Sequence, residues 1–520
     1  MNRTKLLEQL HDPHISWDII VIGGGATGLG VAMDAAIRGY RTLLLEQADF
    51  AKGTSSRSTK LIHGGVRYLA QGKVALVLEA LRERGLLLKN AAHVVRRQAF
   101  VIPYYNWWDG PFYTIGLRLY DVLAGKLSLG ASRRISKEKT IEALPVIETK
   151  GLKGGIVYYD AQFDDTRLAV YLAQTAVDNG ACVLNYMQVV GLLKDDTGRV
   201  SGVQARETEN DSTYLLKAKT VVNATGVFVD AILRMENPQA EPLVRPSQGV
   251  HVVLDSSFLP GDNALLIPKT ADGRVLFAVP WHNKVLVGTT DTLRRKVELE
   301  PQALEEEINF ILDTAGQYLT RKPTRKDVCS VFAGLRPLAA QQGKRQSTKE
   351  ISRNFKVMVT ASGLVTITGG KWTIFRLMAE RTVDAAIKAG KLLPKPCTTQ
   401  SHPIHGNKPF VHCNSHLALY GADMPAIQQL MQQEPELAQK LHPDFPYTKA
   451  EVVWAARKEM ARTVEDVLAR RVRLLFLDAR AALAAAPEVA RLLSLELQKD
   501  ETWREQQIAG FTALARHYIL

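Results

Sequence analysis

The sequence predicts an α/β fold: a dinucleotide-binding βαβ unit near the start, a second, antiparallel β domain, and an α-helical C-terminal domain. Three observations carry this. WDIIVI leads into a glycine turn, a small-residue helix and a second apolar strand, all within residues 17–46. Between residues 247 and 292, short strands (GVHVVLD, ALLIPK, RVLFAVPW, KVLVGTTD) are separated by Gly or Asp turns. From about residue 391 the pattern is helical, almost without strands.

Composition sets the bounds. At roughly 150 residues per domain, 520 residues suggest two to four domains. With 46% hydrophobic and 23% charged residues the chain can bury large cores, which excludes disorder, collagen and a multi-span membrane protein. Four cysteines exclude a disulfide scaffold and fit a reducing compartment. The longest apolar run, from Trp17 to Ala36, is broken by Asp18, Asp34 and five glycines, so it does not read as a membrane span. The N-terminal stretch has no apolar signal region, and a cytosolic location is expected. The net charge of +13 permits attraction to phospholipid headgroups, nucleic acid or a phosphorylated substrate without choosing among them.

The elements follow in order. WDIIVI and RTLLLE are strands without polar alternation, as expected of strands covered on both faces. Residues 74–98 read as a long amphipathic helix ending in Arg96 and Arg97. YYNWWDGPFYTIGLRLY then crowds aromatic residues beside Arg118 and Lys126. After Pro145 the pattern is strand, acidic loop, helix and strand, and residues 200–226 read as a meander returning through KTVVNATG. Residues 302–320 and 372–390 are expected helices. KLLPKPCTTQSHPIHGNKP is a linker, Thr448 and Glu451 form a capping box, and a further helix restarts at Pro487. The domains expected are 17–103, 151–245 and 356–390 for the split nucleotide domain, 104–150 and 246–355 for the substrate domain, and 391–520 for the helical domain.

Gly23, Gly25 and Gly28 form G-x-G-x-x-G after a strand and at the start of a helix, with Glu46 closing the second strand. Gly23 permits the tight turn, Gly25 lets backbone approach a pyrophosphate, and Gly28 lets helix and strand pack. The helix N-terminus offers free N–H groups to an anion. Glu46 can accept hydrogen bonds from both hydroxyls of an adenosine ribose and repels a 2′-phosphate. No second such glycine motif marks a nicotinamide site. Instead AKGTSSRSTKLIHGG supplies hydroxyls (Thr54, Ser55, Ser56, Ser58, Thr59) and glycines suited to an extended cofactor. NATG at 223–226 and GGK at 369–371 return small residues and a second helix start. Together these favour FAD.

These segments, with GVHVV, VGTTD, FAGLRPL and TITGGKWTIFR, resemble the FAD-dependent, quinone-linked glycerol-3-phosphate dehydrogenases in order and spacing. The likeness covers about residues 17–385 and continues through VEDVLARRVRLLFLD. It implies a Rossmann-like FAD-binding domain of the D-amino-acid-oxidase type with an inserted antiparallel β substrate domain. It also implies oxidation of sn-glycerol 3-phosphate to dihydroxyacetone phosphate, with electrons passed to membrane quinone. By the same likeness, Ile22, Gly23, Gly24, Gly25, Ala26, Thr27, Gly28, Glu46, Thr54, Ser55, Ser56, Leu61, His63, Gly64, Gly65, Ala224, Thr225, Gly226, Gly370, Lys371, Trp372 and Thr373 contact FAD. Family members often carry Asn at the position of Thr27 and Tyr at that of Phe375. The calcium loops (D-x-D-x-D-G) of mitochondrial relatives and the long insertion of related O₂-using oxidases are not seen, and the missing insertion favours a dehydrogenase.

A glycerol phosphate carries close to two negative charges, and guanidinium or ammonium groups must receive it. The likeness places Arg67, Arg336 and Lys371 beside the flavin. Arg336, in VFAGLRPLAA, is costly to bury without an anion or ion pair. Tyr68 either bonds the substrate or packs. Two histidines, His63 and His251, are candidates for the base that takes the hydroxyl proton. His251 is assigned as base, Arg336 to the developing alkoxide and the phosphate, Lys371 to catalysis beside them, and His63 to flavin contact.

Cys397, His402, His405, His412 and Cys413 lie close in sequence, but their spacing fits no zinc pattern, and no metal is expected. To reach a quinone without a span, the chain must attach peripherally to the inner face of the cell membrane. The aromatic run and the basic groups Arg133/Arg134, Arg294–Lys296 and Arg321–Lys326 are candidates for an anionic phospholipid surface. The residues alone leave the aromatic run as either domain core or interface. No RNA-binding module is visible and no nucleic-acid partner is expected, while a homodimer is compatible with the sequence. The alternative function is a flavin oxidase of a small hydroxy acid, amine or glycerol phosphate that uses O₂.

Overall fold

The computed structural model describes all residues except 13–14, 66–68, 70–71, 271–272, 340–354 and 409–414. Arg67, Tyr68, His412 and Cys413 therefore lie outside the described residues.

The first sheet is built from the expected βαβ unit. Its main path runs Lys356–Val359, Val365–Thr368, Thr213–Asn223, Trp17–Ile22, Thr42–Leu45, Cys182–Leu184. All these neighbours pair in parallel except the edge strand Lys356–Val359. Helices Phe375–Ala389, Ala26–Ile37 and Asp165–Asp178 pack side by side against it, and the central strands are buried and show no polar alternation. Gly30 is part of that packing. A Cβ there would lie 2.9 Å from the Phe375 ring.

The second sheet is larger. Its path runs Thr292–Leu293, Val244–Asp255, Lys284–Gly288, Leu276–Trp281, Ala264–Ile267, Val95–Tyr104, Gly154–Phe163, Leu61–Ile62. Val328–Ala339 pairs with Val244–Asp255, and Arg133–Ile135 pairs with Gly154–Phe163. Pairing is antiparallel apart from the contact of Ala264–Ile267 with Val95–Tyr104. The helix expected over 74–98 stops at Asn90, and Arg96 and Arg97 belong to a strand. That strand pairs over its whole length with Gly154–Phe163, and a ladder of that length outweighs the short helical periodicity beyond residue 90. Strands from segments 17–103 and 151–245 thus join the substrate sheet, which crosses the expected boundaries at 103/104 and 150/151.

The C-terminal region is helical, with Met424–Gln433, Lys449–Glu459, Leu474–Leu477, Ala479–Leu497 and Glu501–Ala515. Thr448 and Glu451 form the expected capping box. Pro487 does not restart a helix. It sits inside Ala479–Leu497, whose start is capped by Asp478, because the buried stripe Ala482, Ala485, Ala486, Val489, Ala490 and Leu493 is continuous on both sides of it. The core of this domain merges with Val253, Trp281, Leu286 and Phe332 of the second sheet. A buried, bidentate Arg167–Glu459 pair ties it to the first domain, at 2.7 and 2.6 Å. In the linker, His405 bridges Asp178 at 2.5 Å and Asp423 at 3.1 Å. The Cys397 thiol contacts Asp34 at 3.0 Å.

Candidate active site

The parallel strands end at one edge of the first sheet, and the sequence-predicted cofactor residues gather there. Gly23 to Gly28 follow Ile22, Glu46 follows Leu45, Ala224 to Gly226 follow Asn223, and Gly369 to Thr373 follow Thr368. A crevice at the carboxyl ends of such strands is where this fold class binds dinucleotides. The turns are shaped for close approach. Gly23 has φ 108°, and a Cβ on it would stand 2.8 Å from the Ala224 carbonyl oxygen. A Cβ on Gly28 would stand 1.8 Å from the Gly23 carbonyl oxygen. Neither position admits another residue without moving backbone.

Glu46 is half-buried, and its two oxygens accept from the Gly24 amide at 2.6 Å and the Ala48 amide at 2.9 Å. Burial raises its pKa, and the amide bonds only partly offset this. Thr225 is pinned by its hydroxyl to Asn223 Oδ1 at 2.7 Å. Thr27 lies half-buried in the first turn of the helix. The helix start at Ala26 and the cradle of glycines, with no room for a Cβ at Gly23 or Gly28, fit a dinucleotide.

Residues 54–63 form the seam between the two sheets. On one side the Ser55 hydroxyl accepts from the Ala26 amide at 2.9 Å, and the Ser55 carbonyl accepts from Trp372 Nε1 at 2.9 Å. Thr373 donates to the His63 carbonyl at 3.3 Å. On the other side Thr54 donates to the Leu335 carbonyl at 2.5 Å, and Arg57 to the Ala333 carbonyl at 3.1 Å. Leu61 enters the second sheet opposite Gln162. The Gly64 amide donates to the Tyr120 hydroxyl at 2.9 Å, and Gly65 adopts φ 85°. Ser56 is buried and faces the Gly53 carbonyl. Two stretches far apart in sequence, TSSRSTKLIHGG and GGKWT, are therefore one surface.

Beneath the seam lie His251 and Arg336. Register pairs His251 with Phe332 and Ser247 with Arg336 on adjacent strands, so both side chains share a sheet face. His251 is 2% exposed and stacks on Phe332 at 5.1 Å. Its Nε2 is 2.9 Å from the Thr59 hydroxyl, and its Nδ1 has no hydrogen-bond partner among the described residues. Burial, then the charges of Lys60 and Arg336, push its pKa well below the ordinary histidine value, so the ring is neutral. Glycine makes room on both sides. A Cβ on Gly288 would lie 2.3 Å from the His251 ring, and one on Gly249 would lie 2.2 Å from Arg336 Nη2.

The Arg336 guanidinium is oriented by the carbonyls of Gln248 at 3.3 Å and Thr290 at 3.0 Å, the Thr289 hydroxyl at 2.9 Å and the Asp291 carboxylate at 3.5 Å. It remains partly exposed. Lys371 is half-buried at the start of the turn Trp372–Ile374, after Gly369 and Gly370, both at positive φ. The sequence reading missed the surroundings of the histidine. Thr59, read as a cofactor hydroxyl, bonds His251. Lys60 is fully buried against Asp165 at 2.6 Å, with its pKa lowered to about 7, chiefly by burial. A lysine amid the hydroxyls of SSRSTK was the one available signal.

A glycine-cradled dinucleotide crevice joined by a single segment to a sheet bearing a neutral histidine and an oriented arginine defines a flavin-dependent oxidoreductase. Comparison with known proteins agrees. Residues 18–376 match the FAD dependent oxidoreductase family, and residues 397–504 match the C-terminal domain of alpha-glycerophosphate oxidase. The mitochondrial glycerol-3-phosphate dehydrogenase SDP6 of Arabidopsis thaliana is 41% identical over 94% of this chain and 84% of its own length. The mitochondrial glycerol-3-phosphate dehydrogenase of Homo sapiens is 40% identical over 95% of this chain and 72% of its own. A glycerol-3-phosphate dehydrogenase from Bacillus halodurans, solved with FAD, superposes with a TM-score of 0.81 at 29% identity, covering 100% of this chain and 98% of that one. The chain belongs to the FAD-dependent glycerol-3-phosphate dehydrogenase family, and its cofactor is FAD.

Proposed function

We propose that the protein oxidises sn-glycerol 3-phosphate to dihydroxyacetone phosphate and passes the electrons to a membrane quinone. The observation that supports this most is the shared sheet face of His251 and Arg336 beneath the segment that borders the FAD crevice. When bound, FAD supplies a two-electron acceptor for the hydride of the carbinol carbon. His251 takes the hydroxyl proton. In the tautomer that donates from Nε2 to Thr59, Nδ1 is the accepting atom. Arg336, held in plane by four acceptors, offers its fork to the phosphate or the developing alkoxide. Lys371 adds positive charge; by the family likeness Arg67 adds a second cation and Tyr68 a hydroxyl. Mixing the yellow protein with sn-glycerol 3-phosphate without oxygen is expected to bleach the flavin band near about 450 nm. A band that persists with this ester but bleaches with a non-phosphorylated hydroxy acid or amine would overturn the substrate assignment. Stoichiometric peroxide in aerated buffer would indicate the oxidase alternative.

The aromatic run supports peripheral attachment to the inner face of the cell membrane. It forms the helix Asp109–Ala124, which is apolar on both sides. Leu117, Tyr120 and Ala124 face the core, while Trp107, Trp108, Phe112, Ile115, Leu119 and Val122 are exposed, Trp108 by 85%. Arg118 and Lys126 lie exposed beside them. Of the basic groups, Lys296, Arg321 and Arg325 are paired with Glu298, Asp327 and Glu305, while Arg133 and Arg134 are exposed; we prefer the aromatic helix as the lipid face. No helix among the described residues is long and apolar enough to cross a membrane, so contact is interfacial. The protein is expected to sediment with anionic vesicles, less so as salt rises. Trp108→Ser with Ile115→Ser is expected to reduce the bound fraction about tenfold. Equal sedimentation of variant and parent would place the lipid face elsewhere.

A further inference from the structure

The stretch VEDVLARRVRLLFLD has no role in the proposed chemistry, yet it enters the structure as an uncommon turn. Asp466–Arg471 is π-helical, and Arg470 and Arg471 are both buried. Their guanidinium groups reach out of the C-terminal domain to one carboxylate of the first. Arg470 Nε donates to Asp49 Oδ2 at 2.6 Å. Arg471 donates to Oδ2 at 2.8 Å and to Oδ1 at 2.9 Å. Asn185 adds a bond to Oδ1 at 3.3 Å. Burial would raise the Asp49 pKa, but Arg471 and Arg470 outweigh it and hold the carboxyl well below the usual range.

Asp49 lies three residues beyond Glu46, in a loop tied back to the glycine turn. The Ala48 amide donates to Glu46, Glu46 accepts from the Gly24 amide, and the Ala51 amide donates to the Gly24 carbonyl at 2.9 Å. The fit is close, since a Cβ on Gly24 would stand 2.8 Å from Glu46 Cβ and 3.0 Å from the Phe50 ring. If Asp49 shifts, Glu46 and the turn shift with it.

We propose that Arg470 and Arg471 are positioning residues for the cofactor: through Asp49, the C-terminal domain sets the loop that presents Glu46 to the adenosine end of FAD. This rests on the reading of Glu46 as the ribose acceptor. The Arg471 fork and the single Nε bond from Arg470, whose Nη groups go to Glu465 and Asp466, fix this carboxylate in a way that a single point charge does not. Loss of the Arg471 fork leaves a buried carboxylate undercompensated, and the loop relieves this by carrying Asp49 toward water.

The test uses the full-length chain stripped of flavin and titrated separately with FAD and with FMN, which lacks the adenosine. Arg471→Ala is expected to raise the Kd for FAD about 30-fold while leaving that for FMN within about twofold. Arg471→Lys is expected to fall between, and Asp49→Asn to match Arg471→Ala. Parallel losses for FAD and FMN, or unchanged FAD affinity, would overturn the proposal. If Arg471→Ala does not accumulate, Arg471→Lys and Asp49→Asn carry the same comparison. Glu46→Gln separates the two readings. Unchanged FAD affinity there removes the ribose assignment. Weakened affinity there, without a matching loss in the arginine variants, removes this inference alone.

Discussion

His251→Gln is expected to lower kcat for sn-glycerol 3-phosphate by about 10³-fold while changing KM by no more than about twofold. The proton of the hydroxyl then has no acceptor beside it, whereas the phosphate contacts stay. Glutamine keeps a polar group of similar reach near Thr59, so a fall in stability is not the main effect, and the melting temperature checks this. The pH dependence follows from the environment of the ring. Burial, reinforced by Lys60 and Arg336, lowers its pKa well below 6.5. The neutral, proton-accepting form exists above that lowered pKa. The acid limb that His251 contributes to the kcat/KM profile, which reports the free enzyme, therefore lies below pH 6.5. Thr59→Val removes the partner of Nε2 and is expected to reduce kcat about tenfold by releasing the tautomer. Full turnover and an unchanged profile in His251→Gln would assign the base elsewhere, with His63 as the next candidate.

Arg336→Lys is expected to lower kcat/KM for sn-glycerol 3-phosphate about 10²-fold, and Arg336→Ala about 10³-fold. The guanidinium plane is set by two carbonyls, a hydroxyl and Asp291. Lysine keeps the charge but cannot satisfy that set and still present a fork to the phosphate. Alanine also leaves Asp291 without a guanidinium 3.5 Å away, which places a negative charge where an anion must bind. The informative measurement is the ratio of kcat/KM for sn-glycerol 3-phosphate to that for glycerol. If Arg336 holds the phosphate, the ratio collapses in the variants. An unchanged ratio with a lower kcat would confine Arg336 to the alkoxide and leave the phosphate to Arg67 and Lys371.

The cofactor crevice was legible because its requirements are local. Gly23, Gly25 and Gly28 follow a strand and open a helix, and the backbone geometry they permit is a property of the turn itself. NATG and GGKW were recognisable for the same reason, each being a tight turn at a strand end. The aromatic run was only half legible. Its composition showed an apolar helix, but which rings faced water depended on what packed against Leu117 and Tyr120. The helix expected over 74–98 failed past Asn90 because Gly154–Phe163, some sixty residues on, provides the ladder that recruits Arg96 and Arg97. Pro487 failed as a helix start because tertiary burial of an alanine-rich stripe outweighs one missing backbone donor.

The sequence by itself determined the turns, the strand and helix types around them and the chemistry of individual side chains, since these depend on neighbours a few residues away. Only the tertiary structure decided which distant groups meet: Thr59 with His251, Trp372 with Ser55, Arg470 and Arg471 with Asp49. Such pairings depend on strand register and on which buried charges find partners, and both are settled when the whole chain packs rather than within any one segment.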